Sequence, residues 1–356
     1  MSAAPVNLEE YEALARENLE ASAYDYYRSG AGAGATLGRN RQAFAEARLW
    51  PRVLVDVSER DLGVEVLGRR MSSPVVVAPT AFHRLAHADG ERETARGARA
   101  ADVTFCLSTL SNTAMEDVAA VAGDRWFQLY VFRDRAVTTD LVRRAEQAGF
   151  GAILVTVDAP LLGRREADVR NRFSLPDGLR IACVSEGDVS APVEGGSGLA
   201  SYFTSMLDAS LRWEDLEWLV GQTDLPVAVK GVHRADDARR AAEAGAAGVI
   251  VSNHGARQLD TVPATLDMLG PIADAVGDEL DVLMDGGIRR GTDVVTALAT
   301  GARAVLVGRP VLWALAAGGA EAVTRMLGLL QAEVDEAMAL CGCPSVTAVD
   351  RSLLHP

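Results

Sequence analysis

Eight short apolar runs rich in β-branched residues, separated by charged amphipathic stretches within 356 residues, predict an α/β fold. That pattern points to a (β/α)8 TIM barrel with an N-terminal helical extension. The runs are 74–81 (PVVVAPTA), 103–109 (VTFCLST), 125–131 (RWFQLYV), 152–158 (AILVTVD), 225–231 (LPVAVKG), 247–255 (AGVIVSNHG), 281–287 (DVLMDGG) and 304–310 (AVLVGRP). Near-continuous apolar character suits parallel strands buried on both faces. A doubly wound open sheet is the competing arrangement. No GxGxxG follows the first run, however, and eight is the number a barrel requires.

Taken in chain order, residues 7–30 carry helical periodicity at Leu8, Tyr11, Leu14 and Leu19, then a tyrosine-rich segment, ASAYDYYRSG, that closes in glycine. They place N-terminal helices within residues 1–50. The barrel is expected over 74–330, with all of 1–356 forming one domain. Stretches such as RETARGARAA, DLVRRAEQAG and ADDARRAAEAG supply the crossover helices. The longest irregular stretch, 183–200, predicts a lid loop over 183–213 after the fourth strand, with a plain surface insertion as the alternative.

Composition narrows the function. A net charge of −14 excludes the basic footprint of a nucleic-acid binder and disfavours an anionic membrane surface. An anionic ligand therefore needs positive charge concentrated in a cleft, against the field of the whole chain. The N-terminus lacks the basic start and apolar core of a signal peptide, and no run approaches the ~18 apolar residues of a spanning helix. The four cysteines form no CxxC, and Cys341 and Cys343 have no second pair to complete a zinc site. A soluble, cytoplasmic, metal-free enzyme is expected.

The active site of this fold forms at the C-terminal ends of the strands. Here each run ends in polar or reactive side chains: Thr80; Ser108; Gln128 and Tyr130; Thr156 and Asp158; Lys230; Ser252, Asn253 and His254; Asp285 and Arg289; Arg309. Loop-start polarity explains two or three of these but not a lysine, a histidine and an aspartate on one face. The glycines of DGGIRRG (285–291) and GRP (308–310) leave backbone N–H groups free to approach a phosphate, with arginine supplying charge. Of five histidines, His254 stands out, directly after a strand and three residues before Arg257. It can take a proton while Arg257 holds an anion, and Asp158 is the acid placed to orient it. His83 and His87 have helical ligand spacing but no further ligands.

The segments WFQLYV, TVDAPLLGRREADVRNRF, VKGV, SNHGARQLD, DGGIRRGTD and VGRP resemble those of the FMN-dependent (S)-2-hydroxy acid oxidases, the glycolate, lactate and mandelate oxidases. The likeness runs from about Tyr24 to Cys343. It implies FMN as cofactor, with Pro79, Thr80 and Ala81 along the flavin and Ser108, Gln128 and Thr156 at its polar rim. Lys230 is implied beside the N1–C2 edge, with Ser252 also on the cofactor. Asp285 is implied on the ribityl chain, and Gly286, Gly287, Arg289, Gly308 and Arg309 around the phosphate. By the same likeness Arg165 and Arg257 clamp the substrate carboxylate with help from Tyr24. Tyr130 bonds the α-oxygen, and His254 is the base. Whether His254 removes the α-proton or the hydroxyl proton is open, since both routes use the same residues.

Leu110 departs from plant-type glycolate oxidases, which carry tryptophan there, and implies a larger substrate, aromatic or long aliphatic. Ala81 resembles the oxidases, implying molecular oxygen as acceptor and hydrogen peroxide as product. A dehydrogenase passing electrons to a quinone is the alternative. A homotetramer or larger assembly is also implied. Among other barrels, an FMN-dependent isopentenyl diphosphate isomerase has no need of Arg165, Arg257 and His254 together. A Schiff-base aldolase using Lys230 needs no flavin site, and a non-catalytic anion binder needs no base.

Overall fold

The computed structural model describes residues 4–184 and 205–355. Helices α1 (Glu10–Asn18), α2 (Ala21–Arg28) and α3 (Ala35–Glu46) lead the chain. The periodicity read across 7–30 is thus broken once, where Leu19 turns extended and caps α1. A short antiparallel pair follows, β1 (Val64–Val66) with β2 (Arg69–Met71). These strands of three residues each were not expected; Leu67 and Gly68 turn between them at positive φ.

All eight expected runs become strands of one closed parallel barrel: β3 (Val75–Val77), β4 (Thr104–Ser108), β5 (Arg125–Leu129), β6 (Ile153–Thr156), β7 (Val227–Val232), β8 (Gly248–Val251), β9 (Asp281–Asp285) and β10 (Ala304–Val307). Each pairs with its sequence neighbours, and β10 closes on β3 through Val305–Val75, Leu306–Val76 and Val307–Val77. Helices α4 (Gly90–Ala100), α5 (Met115–Ala119), α6 (Arg135–Gln147), α7 (Glu166–Arg170), α8 (Trp213–Val220), α9 (Ala235–Glu243), α10 (Thr265–Val276), α11 (Gly291–Thr300) and α12 (Arg309–Leu340) lie between and after the strands. Burying Val75–Val77, Ile153–Val155 and Val249–Val251 on both faces stabilises the barrel by roughly 1.5–3 kcal/mol per large side chain.

No helix among the described residues is long and apolar enough to cross a membrane. The cysteines are free, buried thiols. Of the expected lid, 185–204 lies outside the described residues. Its flanks are anchored: the Ala182 amide donates to the Ser111 carbonyl, and Leu207 bridges to Phe132.

Candidate active site

Strand register sets the first layer of the site. Ser108 pairs with Gln128 across β4–β5, and Thr156 with Lys230 across β6–β7, which brings polar side chains to one level at the strand ends. They form a continuous row. Ser108 Oγ donates to Gln128 Oε1 at 3.1 Å, and Gln128 Nε2 donates to Thr156 Oγ1 at 3.0 Å. Lys230 Nζ donates to Ser252 Oγ at 2.7 Å and pairs with Asp285 Oδ2 at 2.7 Å. Burial works against the ammonium, but Asp285 and Asp158 outweigh it and hold the Lys230 pKa above its ordinary value. The other oxygen of Asp285, Oδ1, is buried without a hydrogen-bond partner among the described residues.

The second layer is a dyad. His254 Nδ1 lies 2.8 Å from Asp158 Oδ1, leaving Nε2 to face the Tyr130 hydroxyl at 3.4 Å. Burial raises the Asp158 carboxyl, but the His254 imidazole and Lys230 ammonium overcome it and hold the pKa below the usual range. Asp158 needs Gly231 beneath it: a Cβ there would sit 2.6 Å from Asp158 Cβ, at a backbone φ of +107°. Burial, then the charge of Asp158, pushes the Tyr130 phenol well above its ordinary pKa, so it stays a neutral donor.

The third feature is buried positive charge. Arg257 Nη1 donates to the carbonyls of Tyr26 (2.7 Å) and Ser29 (2.9 Å), and Arg309 donates to those of Tyr27 (2.9 Å) and Ser29 (3.0 Å). The partially negative C-terminus of α2 therefore holds two guanidiniums. Arg165 lies beside them, its Nε donating to the Arg257 carbonyl at 3.3 Å. Burial and then Arg165 push the Arg257 pKa down to about 10; burial and then Arg41 push Arg289 to about 10. Arg309 falls well below its ordinary range through burial, Arg257, Arg289 and Arg165. Among the described residues the buried Asp168 carboxylate, 3.8 Å from Arg165 Nη1, offsets only part of this crowded positive charge.

One cavity joins these features, with about 1020 Å³ of empty space, part of it open to solvent. Its lining includes Pro79, Thr80, Ala81, Ser108, Leu110, Gln128, Tyr130, Thr156, Arg165, Lys230, His254, Arg257, Asp285, Gly286, Gly287, Arg289, Gly308 and Arg309. Ser252 and Asp158 sit behind it, bonded to Lys230 and His254.

Tyr24 requires correction. It does not line the cavity: its hydroxyl donates to Glu12 at 3.1 Å and its ring packs on Trp313 at 5.4 Å. Tyr26 is the tyrosine at the arginines, with Arg257 4.8 Å and Arg165 6.0 Å from its ring centroid. Residues two apart on a helix point about 200° apart, so only one of the pair can face the site. The arginine-bonded carbonyls of α2 gave no side-chain signal. His83 is a bonded core histidine, its ring nitrogens 2.7 Å from Thr80 Oγ1 and 2.8 Å from Thr94 Oγ1. His233 Nε2 lies 2.8 Å from the Ser252 carbonyl.

Comparison with known proteins identifies the chain's relatives. A family model described as FMN-dependent dehydrogenase matches residues 15–356. The chain is 50% identical to an L-lactate oxidase of Nostoc sp., covering 99% of this chain and 98% of that one. It is 47% identical to 2-hydroxyacid oxidase 1 of Homo sapiens, covering 98% and 96%. A solved mandelate oxidase with (S)-4-hydroxymandelic acid superposes with a TM-score of 0.95 at 45% identity, over 99% of this chain and 98% of that one.

Proposed function

The chain belongs to the FMN-dependent dehydrogenase family, and from that premise we propose that it oxidises a bulky (S)-2-hydroxy acid to the 2-oxo acid, with His254 as base and molecular oxygen as acceptor. Its cofactor is FMN. The observation that carries the reading is one cavity lined by His254, backed by Asp158, together with Tyr130 and the arginines Arg165, Arg257, Arg289 and Arg309. Arg165 and Arg257 suit a planar carboxylate through their fixed forks, and Tyr26 takes the place first given to Tyr24.

The residues present fit FMN. Arg289 and Arg309, with Gly286, Gly287 and Gly308, would hold its phosphate; the unpartnered Oδ1 of Asp285 would accept from a ribityl hydroxyl. Ser108, Gln128 and Thr156 would meet the polar ring rim, Pro79–Ala81 would flank it, and Lys230 and Ser252 would stand at its charge-gathering edge. Bound FMN supplies the two-electron acceptor. The protein's part is to bind the carboxylate, orient the hydroxyl against Tyr130, and take a proton at His254 Nε2. Asp158 fixes the other nitrogen and stabilises the imidazolium that results.

A side chain larger than glycolate's is supported by Leu110, buried yet lining the cavity, and by the similarity to a mandelate oxidase. Phe82 does not fill that space: it packs on Tyr26 with ring centroids 5.8 Å apart. Oxygen as acceptor, with hydrogen peroxide as product, rests on Ala81 and the oxidase relatives. A cytoplasmic homotetramer or larger assembly completes the reading, with no membrane or nucleic-acid partner. The test measures kcat/KM for glycolate, lactate, 2-hydroxyoctanoate and mandelate, following peroxide. Each added methylene contributes about 0.8 kcal/mol, so two or three added carbons that bury in the pocket should raise kcat/KM by about one to two orders of magnitude. Leu110→Trp should shift the ranking towards glycolate. A parent that favours glycolate contradicts the pocket argument, and reduced flavin that persists in air but recolours with a quinone contradicts the acceptor.

A further inference from the structure

We propose that Asn40, in the N-terminal extension, is the positioning residue that holds His254 in its working orientation. Helix α3 is then part of the catalytic apparatus, although none of its residues lines the cavity. The inference rests on the assignment of His254 as base.

The loop after β8 has an improbable backbone. His254, Gly255 and Ala256 stand in succession at φ of +59°, +60° and +63°, and two of the three carry a Cβ. L-residues rarely adopt this region, and a run of them persists only where the surroundings over-determine it. Part of that determination is local: the His254 amide donates to Ser252 Oγ at 3.1 Å. The Ala256 amide donates to the Asn253 carbonyl at 2.9 Å and to Asn253 Oδ1 at 3.0 Å. The carboxamide of Asn253 is therefore the template on which the turn is wound.

That template is fixed from outside the barrel. Asn40 Nδ2 donates to Asn253 Oδ1 at 2.9 Å, and Asn253 Nδ2 donates back to Asn40 Oδ1 at 2.8 Å. Both residues are 2% exposed, so no water competes for the pair. Asn40 Oδ1 also accepts from the Thr265 amide at 3.3 Å, at the start of α10, and Asn253 Nδ2 reaches the Pro263 carbonyl at 3.3 Å. Flipping either amide would set donor against donor. The backbone of α3 abuts the next loop as well: a Cβ on Gly287, at φ +89°, would lie 2.3 Å from the Asn40 carbonyl oxygen. Asn40 is thus wedged between the loop that carries His254 and the loop after β9. Only a planar group with a donor and an acceptor side by side meets both demands.

Asn40→Asp tests this directly. A neutral carboxylic acid reproduces the donor–acceptor pattern of the amide, whereas a carboxylate loses the donor and sets an acceptor against Asn253 Oδ1. Burial raises a carboxyl pKa, so the neutral form is accessible at the acid end of the working range. The charged groups on the surrounding elements are common to parent and variant, so the parent's own pH profile is the control. They are Arg39 and Arg41 on α3, Asp260 after β8, Asp267 on α10, and Asp285 and Arg289 around the end of β9. Anaerobic flavin reduction in Asn40→Asp should approach the parent's rate at low pH. Towards about pH 8 it should fall by about tenfold or more, since a misplacement of about 1 Å costs up to ~10²-fold. The FMN dissociation constant should stay near the parent's, and faster hydrogen exchange should be confined to 252–268. Asn40→Leu should be slow at every pH, without acid rescue. Parent-like rates and exchange in Asn40→Asp across the pH range would overturn the proposal. Equal losses in both variants at all pH values, together with loss of FMN, would also overturn it by marking Asn40 as merely structural. An undiminished rate in His254→Asn would instead fault the base assignment.

Discussion

At the Arg257 guanidinium several demands meet: two carbonyls of the α2 end accept from Nη1, the Tyr26 ring lies 4.8 Å away, and Arg165 adds like charge. Such a group is held in place before any ligand arrives, and its planar fork would make the proposed carboxylate clamp directional. Arg257→Lys keeps the charge and loses the fork. KM should rise by about tenfold or more while kcat changes less, because roughly 1.4 kcal/mol of binding shared by ground and transition states is removed. Steady-state kinetics with one 2-hydroxy acid checks it, and a fall in kcat at constant KM would place Arg257 elsewhere in the reaction. The sequence showed this residue through its place after SNHG. It did not show what lies beneath it, because a helix C-terminus acts through backbone carbonyls that no side-chain pattern encodes. The exchange of Tyr24 for Tyr26 has a related cause: a run of tyrosines marks the helix, but its rotation about the barrel depends on packing against Trp313 and Phe173.

Among the elements, the barrel strands were legible and the extension less so. Each strand announces itself by β-branched, doubly buried residues, whereas α3 carries its significance in Asn40 and in a cap supplied by another loop. The N-cap of α3 is Gly34, which has no side chain to close the helix. Asp260, in the loop after β8, takes that role: it accepts from the amides of Gly34 (3.0 Å), Ala35 (3.3 Å) and Thr36 (2.8 Å). These bonds, the Thr36 amide foremost, draw the Asp260 pKa down to about 2. Asp260→Ala should cost about 1 kcal/mol, the usual worth of an N-cap. Since the folded pKa lies below the unfolded one, the unfolded chain binds the proton first as pH falls. The contribution is whole above about pH 4, the ordinary aspartate value, and is lost as pH falls towards about 2. Urea midpoints of parent and Asp260→Ala should therefore differ at neutral pH and converge in acid. A constant gap down to pH 2 would contradict the cap. The β1–β2 pair escaped the sequence because strands of three residues are too short for alternation to register.

The molecule as a whole separates its charge. A chain of net charge −14 buries Arg165 and lines one cavity with Arg257, Arg289 and Arg309 beside it, while surface arginines such as Arg39, Arg60 and Arg135 are matched by carboxylates. Crowding cations away from water is costly unless anions offset it; Asp168 lies 3.8 Å from Arg165, and the proposed phosphate and carboxylate would supply the rest. On the proposed reading, His254, its partner Asp158 and Tyr130 share one cavity with the arginines that would bind phosphate and carboxylate, as oxidation of a 2-hydroxy acid needs. Anaerobic stopped-flow reduction of the bound FMN by a 2-hydroxy acid, in the parent and in His254→Asn, tests that arrangement most directly. The account predicts rapid bleaching in the parent. It predicts a loss on the order of 10²–10⁴ in His254→Asn with FMN still bound, the usual share of a positioned base. Bleaching at the parent's rate in His254→Asn, or no bleaching of the parent by any 2-hydroxy acid, would contradict it.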